Sequence, residues 1–454
     1  MVDRTGYGFF NYAKFSYYFR RDVRIRTSYI YSILMLSIES KVIIFVIICM
    51  AVYFIIATPI MNDDGFHYEG FAESLAHGKL DFKSFYGFQG LSFFAVPIFW
   101  LTSSIPSWQA GSDISIIIAS MIFSLLSAPL AYLVGRDFYS RAGLPAEVSA
   151  KAGFYFLILF LLTPYPYTTM MRGFQEAALL FFILLIIYAS IQKKIWAPVA
   201  WAVGGIVKPF ALTLFPLFIK DFLPKRLLRF NLMLRLNLNM RVVWLFVALT
   251  IGGAYLGASY YQTGHLINNA AINSYQGNFD AGNPPPLTES FTAGVKGFLR
   301  VGANLLLHFR KIMISPFVII LGALALLVPL RLNLNMRFNL MRKEIVLAIV
   351  LNFLLVGSLT FSFSKYLLPM TTLFALASVS YLLKYRWLMW LVLLDSFFVF
   401  LPIWNYFGNS FWPNIYIYLL PFWAAIVLFL LSEWKKFQLW INDLRSRLST
   451  GKFN

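Results

Sequence analysis

Between Val42 and Ala57 the chain reads VIIFVIICMAVYFIIA without a single charge, and apolar runs of this kind recur as far as residue 432. About 20 such residues, wound as a helix, cross the roughly 30 Å of hydrocarbon in a bilayer. Nothing else in the sequence constrains the fold as strongly. Further spans are expected at 113–135, 150–165, 174–192, 196–208, 209–220, 242–261, 311–330, 345–363, 366–383, 387–404 and 415–432. The chain therefore reads as an all-α polytopic membrane protein of about 12 transmembrane helices. Composition agrees: 59% of the 454 residues are hydrophobic and 13% are charged, more apolar surface than the interior of a soluble domain takes up.

Charge sets the expected topology. The formal net charge is +19, but the basic residues gather at the ends of apolar runs, as Arg20, Arg21, Arg24 and Arg26 or Lys225, Arg226 and Arg229 do. That is the pattern of cytoplasmic loops attracted to anionic lipid, and it argues against nucleic acid as a partner. Residues 1–41 then form a cytoplasmic or interfacial N-terminal segment, 42–432 the transmembrane domain and 433–454 a cytoplasmic tail. Loops at 136–149, 193–195, 221–241, 331–344 and 384–386 fall on the same side. The outer loops, near 59–112, 166–173, 262–310 and 405–414, carry much less positive charge for their length. A plasma (cytoplasmic) membrane is the expected location, with the loop after the first span facing outward. The basic, Tyr-rich start is unlike a cleavable signal, and the single cysteine, Cys49, excludes an intramolecular disulfide. The heptapeptide RLNLNMR occurs at 235–241 and again at 331–337. Its alternation fits a strand lying half in the interface better than a helix, although biased composition in two basic loops also accounts for it.

The acidic residues are few, and several share one outer loop, in TPIMNDDGFHYEGFAESLAHGKLDF (58–82). The spacing of Phe66, Ala72, Leu75 and Ala76 predicts a short amphipathic helix with Glu69 and Glu73 on its solvated face and Gly78 as its stop. Asp63 and Asp64 fall at or before its N-terminus, where the helix dipole favours carboxylates. Capping alone accounts for them, and so does a functional site. Asp63, Asp64 and His67 also offer ligands for a hard divalent cation such as Mg or Mn. The apolar stretch 87–105 reads as a helix lying in the outer interface, with a full span as the alternative. Elsewhere, YPYTTMMRGFQE (165–176) leaves Arg172 and Glu176 at the outer start of a span. GIVKPFAL (205–212) leaves Lys208 at the apex of two short helices meeting near Pro209, and FSKYLLP (363–369) leaves Lys365 and Tyr366 at another outer helix end. Snorkelling explains any one of these bases. Together they bring acids from two segments and bases from three to one face, opposite the side that holds most of the positive charge. Transfer from a lipid-phosphate donor requires such a set: cations for the phosphate that leaves and a carboxylate base for the hydroxyl that attacks.

On these residues the chain resembles the C-type (GT-C) integral-membrane glycosyltransferases, the group that includes protein O-mannosyltransferases and lipid A aminoarabinose transferase. The resemblance rests on DDGFHYEGFAESLAHGKL opening the first outer loop, with His67 and Tyr68 where an aromatic pair is common. It continues with Glu176 at the outer end of a span, the G-x-x-K-P segment Gly205–Pro209 and KYLLP. It covers the first 220 residues in order and the span near 366. It implies a polyprenyl-phosphate-linked sugar donor, a glycan, lipid or protein acceptor on the extracytoplasmic face, and inversion at the anomeric carbon. Asp63 would be the general base, with Asp64 orienting the acceptor or binding a metal, and Glu176 the second acid of the site. Lys208, Arg172 and Lys365 would face the donor phosphate, with His67, Tyr68 and Tyr366 beside the substrate. The Asn- and Pro-rich loop 262–310 would be an acceptor-side lid, or an ordinary surface loop. A secondary transporter or lipid-linked saccharide flippase is the alternative, since it too places charges and broken helices in a membrane. Midplane charges and repeated halves would favour it, and the sequence offers neither.

Overall fold

The computed structural model of the chain describes residues 40–53, 63–85, 87–104, 114–163, 173–222, 240–266, 294–306, 314–328, 341–359, 364–411 and 420–432, with backbone alone at 63–64, 304–306, 364 and 400–411. All regular structure among the described residues is helical. In chain order the helices are α1 (Ser40–Tyr53), α2 (Asp63–Ala76), α3 (Gly90–Ser103), α4 (Ile114–Arg141), α5 (Ala146–Leu161), α6 (Glu176–Ile191) and α7 (Ala197–Val207), followed by a 3-10 helix (Pro209–Leu217). Then come α8 (Met240–Thr263), α9 (Gly294–Leu306), α10 (Pro316–Leu327), α11 (Arg342–Ser358), α12 (Leu368–Lys384), α13 (Leu388–Phe411) and α14 (Leu420–Ser432). The chain forms two compact units, residues 1–48 and 49–454. Of the first, only the start of α1 is described; α2 to α14 all belong to the second.

Among the described residues, three helical stretches are long and apolar enough to cross a membrane: α4, α8 and Lys365–Lys384, which contains α12. Shorter apolar helices, among them α3, α6, α7, α10 and α14, accompany them. The protein is membrane-embedded. Burial separates the three long stretches into layers: the most apolar window is 83% buried in Lys365–Lys384, 61% in α4 and 17% in α8. An apolar helix left as open as α8 is stable against lipid rather than water. Helix α12 packs on α10 and α5, and α4 packs on α5 and α6, so these five form the centre. Close approach depends on small residues, as membrane interfaces generally do. A Cβ on Gly322 of α10 would lie 2.3 Å from the Phe374 carbonyl oxygen of α12.

Helix α2 begins at Asp63, so the two aspartates open it as expected. It ends as expected too. Gly78 takes φ +76°, its N–H bonds to the Leu75 carbonyl (2.9 Å) and the Lys79 N–H to the Ser74 carbonyl (2.9 Å), the paired bonds of a Schellman stop. Its buried face holds Ala72 as expected, with Leu75 and Ala76 partly buried, but departs from the expectation at two positions. Glu73 is exposed, but Glu69 is only 3% exposed, while Phe66 is 51% exposed. The reason lies in α4: Ser115 Oγ donates to both Glu69 carboxylate oxygens (2.6 and 2.8 Å), and the Ile116 N–H donates to one of them (3.0 Å). The first turn of α4 has orphan N–H groups and a positive dipole end, and Glu69 satisfies both from a neighbouring helix.

Three other expectations are corrected. Helix α4 runs to Arg141, through the first part of the loop expected at 136–149, before a second Schellman stop at Gly143. Residues 294–306 of the expected loop 262–310 form α9, which packs on α11 with Phe298 stacked against Phe353. Residues 267–293 and 307–310 of that candidate lid lie outside the described residues. The first RLNLNMR copy ends in helix, since Met240 and Arg241 open α8, and the second lies outside the described residues. A helix is the spacing that satisfies the backbone at a membrane edge without a partner strand.

Candidate functional site

The junction at Pro209 follows from one local rule. A residue before proline avoids the α region, and Lys208 is extended (φ −156°, ψ 138°) between α7 and the 3-10 helix. The expectation of two short helices meeting there holds, and the break turns the lysine inward. Lys208 is 9% exposed and Glu176, in the first turn of α6, is fully buried. The two form an ion pair through Lys208 Nζ and Glu176 Oε1. Lys365 Nζ reaches the same oxygen at 3.4 Å. Three residues expected from separate parts of the sequence therefore share one buried cluster, and these three side chains carry two positive charges and one negative.

Aromatic rings frame the cations. Lys208 Nζ lies 5.7 Å from the centre of the Tyr366 ring, and Lys365 Nζ lies 5.0 Å from that of Phe174. Tyr366 in turn stacks on Phe210 at 4.4 Å. Such contacts favour a partly desolvated ammonium. Burying a carboxylate here is tolerable only because the cations are in place.

Three acceptor oxygens nearby have no hydrogen-bond donor among the described residues: Glu176 Oε2, Gln175 Oε1 and Asn352 Oδ1. Gln175 precedes Glu176 and donates through Nε2 to the Phe88 carbonyl. Asn352 donates through Nδ2 to the Tyr366 carbonyl at 3.2 Å. Buried acceptors are almost always paired, so these three oxygens call for donors from beyond the described residues.

The acidic helix reaches this cluster by its backbone. Gly173, three residues before Glu176, has φ +66°, and a Cβ on it would lie 3.6 Å from the Gly65 Cα and 2.6 Å from Ile116 Cγ2. Gly65 follows Asp63 and Asp64, so the first turn of α2 abuts the turn that carries Glu176. The side chains of Asp63 and Asp64, and all of Arg172, lie outside the described residues. His67 is half-buried and Tyr68 buried on the next turn of α2, where the Tyr68 carbonyl accepts from Ser92 Oγ of α3 at 2.8 Å. Among the described residues no group of three or more His, Cys, Asp or Glu could hold a metal ion, and the expected set with His67 depends on the two aspartates.

Residues 88–90 tie the cluster together, and sequence reasoning passed over them. Phe88 offers its carbonyl to Gln175, the Gln89 N–H donates to the Tyr255 hydroxyl of α8 (2.9 Å), and Gly90 lies against the backbone of Val207. Val207 precedes Lys208 as Gln175 precedes Glu176. The one available signal was the pair of amides, Gln89 and Gln175, in otherwise apolar stretches.

No family model matches the chain, and no curated protein matches it either.

Proposed function

We propose that this protein is a glycosyltransferase of the C type, with about 12 membrane crossings, that moves a sugar from a polyprenyl-phosphate carrier to an acceptor on the extracytoplasmic face. The observation that carries the reading is the buried cluster of Glu176, Lys208 and Lys365, two cations on one carboxylate oxygen, beside the first turn of the helix that begins at Asp63. In this reading the ammonium groups of Lys208 and Lys365 face the phosphate of the donor. As the glycosyl–oxygen bond breaks, negative charge grows on the phosphate, and fixed ammonium groups lower the energy of that change more than they lower the ground state. The orphan oxygens of Glu176, Gln175 and Asn352 suit the hydroxyl groups of a sugar. Asp63 is the general base in this reading: it takes the proton of the acceptor hydroxyl as that oxygen attacks the anomeric carbon from the face opposite the phosphate, with inversion. Asp64 orients the acceptor, with a divalent cation if one binds there.

The test is transfer from a mixture of radiolabelled polyprenyl-phosphate sugars by the purified protein, by its Asp63→Asn variant and by its Lys208→Met variant, with and without chelator. Labelled product from the parent and none from Asp63→Asn supports the base. A donor KM raised in Lys208→Met supports the phosphate contact. Equal turnover by all three proteins sinks the assignment.

A further inference from the structure

Helix α6 has a second end. Its 16 residues carry the chain about 24 Å from Glu176 to Ile191, where a cavity of about 290 Å³ opens between the ends of several helices. Phe138 and Arg141 of α4, Ser190 of α6, Lys193 beyond it, Lys220 and Asp221 after the 3-10 helix, and Met341 line it among others. Three cations face the space with one carboxylate. Lys220 also pairs with Glu344, and the Arg141 guanidinium donates to Gln192 Oε1 at 3.1 Å, so two of the cations are held in position.

The alternative explanation for Arg141 and Lys193 is that they complement the negative ends of α4 and α6. It is incomplete, because several of the last carbonyls of each helix already accept backbone N–H groups. Those of Tyr139 and Ser140 take the N–H groups of Leu144 and Gly143, and those of Ala189 and Ser190 take Lys194 and Lys193. Met341 adds the opposite polarity: it is the N-cap of α11 and makes no side-chain capping bond, so the positive end of that helix lies at the cavity wall. The loops at 193–195, 221–241 and 331–344, which the cavity also borders, carry the basic excess of a cytoplasmic face, while 136–149 sets Arg136 and Arg141 against Asp137 and Glu147.

We propose that this cavity binds a phosphate group, that of an anionic phospholipid headgroup in the adjoining leaflet. Basic pockets between the ends of membrane helices are suited to such headgroups. The site is separate from the Glu176 cluster and does not depend on its function.

The experiment follows thermal unfolding of the full chain in micelles on adding short-chain phosphatidylglycerol, short-chain phosphatidylcholine or inorganic phosphate. It compares the parent with Arg141→Gln/Lys193→Gln, both exposed positions, and with Lys79→Gln/Lys83→Gln, which removes the same charge from the exposed loop after α2. Phosphatidylglycerol should raise the midpoint of the parent and of the Lys79/Lys83 variant. Its apparent affinity should fall about 5-fold per cation removed, hence about 25-fold, in the Arg141/Lys193 variant. A rise with inorganic phosphate alone, lost in that variant, supports the site with a free anion as its ligand. Equal responses to the two lipids, or equal losses in the two double variants, overturn the proposal.

Discussion

The replacement Gly90→Ala tests how the cluster is held. A Cβ at position 90 would lie 2.5 Å from both the Cα and the N of Val207 and 2.8 Å from the carbonyl carbon of Ile206. All three are backbone atoms, so no flexible side chain can yield. Relief to an ordinary contact near 3.4 Å requires α3 and the end of α7 to separate by about 1 Å, and packed interiors resist such movement. Overpacking of this kind costs about 1–3 kcal/mol. Lys208 is the next residue, so the displacement passes directly to its ammonium. A misplacement of about 1 Å in a positioned group can cost about 100-fold in rate. The assay is transfer by Gly90→Ala beside its thermal midpoint, with Gly322→Ala as the comparison. That second clash, at 2.3 Å against the Phe374 carbonyl oxygen, strains the α10–α12 contact instead. Both variants should melt lower than the parent, and only Gly90→Ala should lose turnover out of proportion to stability. A Gly90→Ala protein that melts like the parent would refute the packing argument. Equal losses of turnover in the two variants would refute the link to Lys208.

Glu176→Gln leaves two ammonium groups facing an amide in a buried site, and unfolding should become easier by about 3–5 kcal/mol. The double variant Glu176→Gln/Lys208→Met should recover part of that loss, because it removes one of the stranded charges; no recovery would mean that the pair is not coupled. Lys193 stands at φ 50°, where a Schellman stop usually holds glycine. Lys193→Gly should therefore raise stability by about 1 kcal/mol, measured as a higher thermal midpoint. The Ser84 hydroxyl and N–H, with the Lys83 N–H, hold the Asp81 carboxylate below the usual range. Since its folded value lies below the unfolded one, the turn is supported above about pH 4 and loses that support as pH falls through the folded value. Hydrogen-exchange protection at Lys83 and Ser84 should drop in that acid window in the parent, and at neutral pH in Asp81→Ala.

What the sequence makes legible is local stereochemistry. Gly78 stops α2 because only a residue tolerant of positive φ closes that pair of hydrogen bonds, and glycine announces itself. Pro209 forces the preceding lysine out of the helix wherever the chain goes next. The face of α2 that is buried is a different matter. The apolar stripe predicts Ala72 inside and Glu73 outside correctly but misplaces Phe66 and Glu69, because Glu69 answers the orphan N–H groups of α4, a partner more than forty residues away in the chain. Gly90 and Tyr255 are silent for the same reason, their roles being defined by Val207 and Gln89 on other elements. No pattern within one helix encodes what the next helix lacks.

The charged cluster was nonetheless approachable from sequence, and the physics of a membrane says why. A charge in hydrocarbon needs both a partner and a route out of the regular helix, since a side chain in mid-helix faces lipid or a neighbour with little choice. Glu176 follows a turn at Gly173, Lys208 precedes Pro209, and Lys365 lies in the 3-10 turn before Pro369 of α12. Each charge stands beside a residue that breaks a helix. Breaks at one level of the membrane bring helix ends together, and helix ends are where ionised groups find dipoles, backbone partners and one another. A charge beside a breaker is therefore a stronger signal than either alone, and three of them at the same expected face predicted a meeting, though not which atoms would meet. That Lys208 and Lys365 share a single oxygen of Glu176, leaving the other oxygen to accept from elsewhere, is a property of the assembled helices alone.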